Sequence, residues 1–242
     1  MRRMTLGALD LAVVDDNDAD TKYIYDEVFG AQIYHHKDLR VPANPTIMDV
    51  GANIGIYSLW AQRRYRPQAI YSYEASPKTF AFLQDNISRL IDGNVTKAFA
   101  FNRAIAAAAG HKLVLHQSTK VSGISTLLDQ SKVGWIGKAS ADRQLETYEV
   151  ATSTVSAEIA AHKLAAVDIL KIDVEGYFLE VLKGIAPEHF PNIKNIVAEV
   201  DYLPETGIDP HALETLLQAA GYQTDCLDRS QKNNLTFYAW RV

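Results

Sequence analysis

The sequence predicts an α/β domain whose sheet is mainly parallel and covered by helices on both faces. Three observations predict it. Apolar, β-branched runs recur at TIMDV (46–50), AIYSYE (69–74), VTKAFAF (95–101), VDILKIDV (167–174) and KNIVAEVD (194–201). Segments of helical pattern stand between most of them, and strand alternating with helix implies crossovers that leave the strands parallel. A glycine-rich turn, DVGANIG (49–55), joins the first run to the first helix, which is where open α/β sheets cradle ligands.

Taken in order, residues 1–44 read as a leader or lid ahead of a domain spanning 45–242. The acidic cluster Asp15, Asp16, Asp18 and Asp20 reads as a solvated loop. KYIYDEVFGAQIYHH (22–36) reads as a short helix or loop whose aromatics, Tyr23, Tyr25, Phe29 and Tyr34, cap a site. TIMDV is a buried strand, and IGIYSLWAQRR a helix opening at Gly55. After the strand AIYSYE, Ser76-Pro77 starts a helix that runs to about Leu90, with Pro77 where its missing N–H costs nothing. VTKAFAF is a third strand, and KLVLHQ (112–117) one arm of a hairpin beside it. The polar stretch 118–144 is long enough to read as a functional or mobile loop. TYEVATS (147–153) returns as a strand and 156–166 as a helix. VDILKIDV and KNIVAEVD are strands with a helix after Gly176 between them. A helix at 210–220 precedes YQTDCL and LTFYAWRV, two strands joined by a short polar loop and therefore antiparallel.

The 242 residues suit one domain with a buried core. A formal charge of −5 and the absence of any Lys/Arg run argue against nucleic acid and for a small neutral or cationic ligand. The single cysteine, Cys226, excludes an intramolecular disulfide and a cysteine zinc cage. The opening MRRMTLGALDLAVVDDND breaks into acids too early for a signal peptide. No run of 18 apolar residues occurs. The expectation is a cytoplasmic protein without a membrane span, in which the sequons at Asn86, Asn94 and Asn234 are chance matches.

The chemistry starts at the glycine turn. Gly51 lets backbone approach a ligand, Asn53 tolerates left-handed dihedrals, and Gly55 allows tight helix entry. The turn is not the dinucleotide fingerprint: Asn53 stands where that pattern has its second glycine, and Asp49 puts a negative charge where pyrophosphate would bind. A carboxylate there welcomes an ammonium group instead. Glu74 ends the second strand, 25 residues after Asp49, the position from which an acid takes ribose hydroxyls. Ribose with a cationic, phosphate-free tail describes S-adenosylmethionine.

These residues carry a resemblance. DVGANIG (49–55), YEASP (73–77) followed by Asn86, LKIDVEG (170–176) with VLKG (181–184), and VAEVD (197–201) resemble the FkbM family of S-adenosylmethionine-dependent methyltransferases, from about Thr21 to the C-terminus. The resemblance implies the class I methyltransferase fold: a Rossmann-like, mostly parallel seven-stranded sheet with an antiparallel C-terminal strand. It implies methyl transfer to a hydroxyl of a small natural product, a sugar, a lipid or a carrier-bound polyketide intermediate. It also implies that Asp49, Gly51, Asn53, Gly55, Ser58, Glu74, Ala75 and Asp173 line the cofactor, with Asn102, Arg103 and Ala104 near the adenine. The chain departs from the family pattern at Ala75, where proline is usual, at Val155-Ser156, where Leu-Asp is usual, and at Phe178, where an acid is usual. The last two weaken the transfer of acceptor-side detail.

An alcohol acceptor must be aligned and lose its proton. Asp173, Glu175, Glu199 and Asp201 end adjacent strands and converge at the sheet's carboxyl edge, with Glu175 the candidate base. Alternatively Asp173 caps the next helix and Glu175 pairs with Lys171 or Arg103. Asp173 with Glu199 offers Mg²⁺ two oxygens, too few to displace metal-independent transfer as the favoured reading. His116 and His189 are the reserve bases, and His35-His36 lacks a third ligand at a metal spacing. The rival functions are a nicotinamide-dependent oxidoreductase on a similar sheet, disfavoured by Asp49 and Asn53, and a catalytically idle cofactor-binding domain.

Overall fold

The computed structural model describes residues 1–13, 18–118, 125–128, 145–201, 209–229 and 234–241. The chain opens with a hairpin, β1 (Arg2–Leu6) and β2 (Leu9–Val13), then helix α1 (Asp18–Tyr25) and a π-helical turn (Asp26–Ala31). The core begins at β3 (Thr46–Val50), α2 (Ile56–Tyr65), β4 (Ala69–Glu74), α3 (Pro77–Leu90) and β5 (Lys97–Asn102). Next come β6 (Ala104–Ile105), β7 (Lys112–Ser118), β8 (Ser125–Thr126) and β9 (Leu145–Ser153). The chain returns to the core with α4 (Val155–Ala161), β10 (Ile169–Ile172), α5 (Phe178–Lys183), β11 (Asn195–Asp201), α6 (Pro210–Ala219), β12 (Gln223–Arg229) and β13 (Asn234–Trp240).

Seven of these strands form one sheet in the order β12-β13-β11-β10-β3-β4-β5. Five neighbours from β11 to β5 are parallel, and β13 alone runs against both its partners. Every residue of β3 is buried because it lies mid-sheet between β10 and β4. Alternate side chains then serve two cores. Ile47, Ile169 and Val197 pack with Leu59 of α2 and Leu83 and Ile87 of α3. Met48, Leu170, Ile172 and Ala198 pack on the other face with Ile159, Phe178 and Leu213 of α4, α5 and α6. The helices start where their sequence says. Ser76, Thr154 and Asp209 cap α3, α4 and α6 by accepting from Thr79, Ala157 and His211 backbone N–H groups, with proline opening α3 and α6.

Three features depart from the sequence reading. The leader contains a hairpin that belongs to the core: Leu9, Leu11 and Val13 are buried in the α2/α3 cluster. Asn86 fixes it there. Its Oδ1 accepts from Ala12 N at 2.7 Å, and its Nδ2 donates to the carbonyls of Ala12 and Ile54, tying hairpin to glycine turn. Second, KLVLHQ does not lie beside β5. It pairs antiparallel with β9, in a separate sheet ordered β6-β9-β7-β8. Third, α4 stops at Ala161, short of 166, because Lys163 takes a left-handed backbone with φ 53°. Asp18 and Asp20 begin α1, while Asp15 and Asp16 lie outside the described residues, as do 119–124 and 129–144 of the predicted loop. Among the described residues no helix is long and apolar enough to cross a membrane.

Candidate active site

The turn after β3 is built around a contact the sequence did not disclose. Gly51 has φ 74°, and a Cβ on it would stand 1.7 Å from the backbone oxygen of Asp173. Glycine is required here because the ends of β3 and β10 press together. The amides of Gly51 and Ala52 both donate to Tyr73 O, at 3.0 and 2.9 Å, so the turn also leans on β4. Asn53 takes φ 50° and donates its backbone N–H to Glu74 Oε2 at 2.9 Å. At Gly55, φ 92°, a Cβ would meet Leu83 Cδ1 at 3.0 Å, which is the close helix entry expected of that glycine.

Asp49 is withdrawn beneath this turn. It is fully buried, its Oδ2 accepts from Ser58 Oγ at 2.6 Å, and Ser58 in turn meets Ser72 Oγ at 2.8 Å. Its Oδ1 lies 3.2 Å from Lys171 Nζ. The parallel ladder places Lys171 directly opposite Asp49. Where the sequence reading has Asp49 meet an incoming ammonium, the structure places an ammonium of the chain's own, that of Lys171, beside it. Lys171 is buried, donates to Gly51 O at 2.7 Å and lies 3.5 Å from Asp173 Oδ2. Burial works against its charge, but Asp49 and Asp173 more than offset this and hold its pKa above the ordinary lysine value.

Above the turn lies a cavity of about 430 Å³ at the carboxyl ends of β3, β4, β10 and β11. Gly51, Asn53, Glu74, Ala75, Arg103, Ala104, Asp173, Glu175 and Glu199 all line it, so the structure brings most of the predicted site together. Asp49, Gly55, Ser58 and Asn102 are not on its wall. Asn102 works from behind, donating Nδ2 to the carbonyls of Glu74 and Ala75 at 2.9 Å each. Glu74 accepts from Asn53 N and from Ser76 N at 2.8 Å, and burial pushes its pKa up to about 7 despite those two bonds and the Lys171 charge.

The leader forms one wall. Tyr23, Ile24, Glu27, Ile33 and Tyr34 face the cavity, and Tyr34 donates its hydroxyl to Asp173 Oδ2 at 2.9 Å. Tyr34 itself is pinned edge-on against Tyr57, while Tyr25 and Phe29 stack on each other away from the cavity. Glu175 has the left-handed φ of 45°, unusual for a glutamate, and its carbonyl accepts from Thr126 Oγ1 at 2.7 Å. Lys171 pairs with Asp49 and Asp173, and Arg103 donates to the buried Glu158 at 3.0 Å. His116 is buried in β7 off the cavity wall, and His189 sits in the 3-10 turn Pro187–Asn192 that precedes β11, at the far end of the sheet. Among the described residues no group of three or more His, Cys, Asp or Glu could hold a metal ion. The side chain of Asp201 lies outside the described residues.

Sequence reasoning missed Lys171 as a site residue, although a lone lysine inside the apolar run ILKI was a signal. It also missed Tyr57 and the apolar lining residues Ile54, Ile105 and Leu115. Apolar lining together with a buried carboxylate suits a nucleoside, and Asn53, which lines the same cavity, has its Oδ1 buried without a hydrogen-bond partner. The donor set thus fits S-adenosylmethionine better than a phosphate-bearing cofactor.

A seven-stranded sheet with this order, one reversed strand, a glycine turn after the first core strand and a carboxylate ending the second defines a class I methyltransferase architecture. The fold agrees with that of a human methyltransferase 10 domain-containing protein, TM-score 0.51 at 10% identity, covering 97% of this chain and 88% of that one. The model of the methyltransferase FkbM domain matches residues 49–224. The chain is 31% identical to methyltransferase sdnD of Sordaria araneosa, over 84% of this chain and 82% of that protein. It is 28% identical to 31-O-demethyl-FK506 methyltransferase FkbM of Streptomyces tacrolimicus, over 76% of each. The chain belongs to the FkbM family of methyltransferases.

Proposed function

We propose that the chain is an S-adenosylmethionine-dependent O-methyltransferase that acts on a hydroxyl of a small natural product, a sugar or a carrier-bound intermediate. The observation that carries the reading is Glu74, a buried carboxylate at the end of β4, held by two backbone amides and facing the cavity. A relative whose name denotes O-methylation of a demethylated natural product supports the hydroxyl acceptor. When bound, the cofactor supplies an electrophilic methyl group. Glu74 would accept the ribose hydroxyls, Asn53 and the turn would support the amino-acid end, and Arg103 with Ala104 would flank the adenine. On the acceptor side, Asp173 is engaged by Tyr34 and Lys171, which suits it to position the alcohol with Glu199. Glu175 would take the proton. The leader wall would exclude water and fix the line of attack.

Glu74 gives this reading a pH signature. Ribose hydroxyls donate to the ionised carboxylate, so binding favours the charged form and releases a proton wherever the free site is protonated. S-adenosylhomocysteine affinity should therefore rise with pH and level off above about 7, falling by up to about tenfold per unit below it. Stability of the free protein runs the other way. Glu74 titrates near 4.5 when unfolded and near 7 when folded, so its contribution to stability declines as pH climbs through that window. Calorimetric titration at pH 6 and pH 8 tests both ligand and residue. Glu74→Gln should bind more weakly with the pH dependence flattened. Binding of NAD in preference, or an unchanged pH profile in Glu74→Gln, would refute the assignment.

A further inference from the structure

We infer that Lys171 is a positioning residue that sets the cofactor turn and the acceptor carboxylate together, rather than only a counter-charge for buried Asp49. The inference rests on the cofactor reading above. One ammonium, on a residue 2% exposed, reaches three oxygens that belong to different parts of the site. At 2.7 Å it holds Gly51 O. The same peptide's N–H, on Ala52, is held by Tyr73 O at 2.9 Å, so the 51–52 peptide plane is fixed from both ends and cannot flip. At 3.2 Å Lys171 meets Asp49 Oδ1 below the turn, and at 3.5 Å Asp173 Oδ2 at the cavity. Asp173 Oδ2 is also the oxygen that takes the Tyr34 hydroxyl, so the leader wall and the lysine converge on one atom. The rings of Tyr34 and Tyr57 flank the ammonium, with centroids 5.5 and 5.7 Å from Nζ. These rings add cation–π attraction and exclude water. A counter-charge for Asp49 alone would need neither the Gly51 bond nor the Asp173 contact.

Removing the lysine alone strands the buried Asp49 charge and confounds fold with function. The test is therefore the double variant Asp49→Asn/Lys171→Met, which removes both charges at near-constant volume. Expected is a melting temperature restored well above that of Lys171→Met alone, yet S-adenosylhomocysteine binding weaker than wild type by about tenfold or more, as for loss of a charge-assisted hydrogen bond at the turn. Affinity equal to wild type in the folded double variant would reduce Lys171 to a counter-charge. A measurement on the unaltered protein guards against a variant that does not fold. With ¹⁵N-lysine labelling, the slowly exchanging Lys171 ammonium resonance should shift when S-adenosylhomocysteine is added. A resonance unmoved at saturating ligand would overturn the proposal. Failure of the wild-type protein to bind S-adenosylhomocysteine would overturn the cofactor reading itself and this inference with it.

Discussion

Glu175→Gly is expected to relieve backbone strain at that position while turnover falls by about 10²–10⁴. The two effects separate because Glu175 holds a left-handed backbone, φ 45°, which costs a residue with a side chain about 1–2 kcal/mol. Glycine relieves that strain and gives back part of the gain in unfolded-chain entropy. Positions where stability and residue choice disagree in this way are where function is to be sought. Glu175→Gln completes the argument: it keeps size and strain, should leave S-adenosylhomocysteine affinity normal, and should be slowed to a similar degree. Steady-state kinetics with thermal unfolding on both variants checks this. Near-native turnover in both would remove Glu175 from the chemistry, and the geometry would not hand the role to His116 or His189, neither of which lines the cavity.

Gly51→Ala carries the largest expected effect on the fold. Its Cβ would sit 1.7 Å from the Asp173 carbonyl, a backbone atom that moves only if β3 and β10 separate, and φ 74° adds strain of its own. Together these place the cost on the order of 4 kcal/mol, in the range reserved for overpacking plus a special dihedral. Gly55→Ala is the internal comparison. It is equally left-handed, but its new Cβ meets the end of the Leu83 side chain at 3.0 Å, which can turn aside. Denaturant unfolding should rank Gly51→Ala clearly below Gly55→Ala. Equal losses would mean that backbone dihedral alone, not the β3/β10 contact, governs the turn.

The parallel core was legible because its signals are local. TIMDV and VDILKIDV are apolar runs, Ser76-Pro77 and Asp209-Pro210 are helix starts, and neither depends on what lies elsewhere in the chain. The hairpin was readable in principle, since Leu9, Leu11 and Val13 alternate with other residues, but the nearby acids drew the segment into a leader. Its anchor, Asn86, lies far along the sequence.

The site divides in the same way. Glu74, Asn53 and the acids ending β10 and β11 follow from motif position, and those whose side chains are described reach the cavity. The partner of Asp49 was not legible because it is decided by strand register: Lys171 stands opposite it across the β3/β10 ladder. The second demand on Gly51 was hidden on the same ground, since the Asp173 carbonyl is a neighbour only after the strands pair. The role of Tyr34 among four leader aromatics could not be singled out until its hydroxyl met Asp173.

The central claim is transfer of a methyl group to oxygen. It is tested most directly by incubating the protein with S-adenosylmethionine bearing an isotopically labelled methyl and a panel of hydroxylated small molecules, free and carrier-bound, with products read by mass shift and fragmentation. The account predicts the labelled methyl on a hydroxyl oxygen with S-adenosylhomocysteine formed in equal amount, and loss of product in Glu175→Gln. Label placed on nitrogen or carbon, or product formed undiminished by Glu175→Gln, would contradict it.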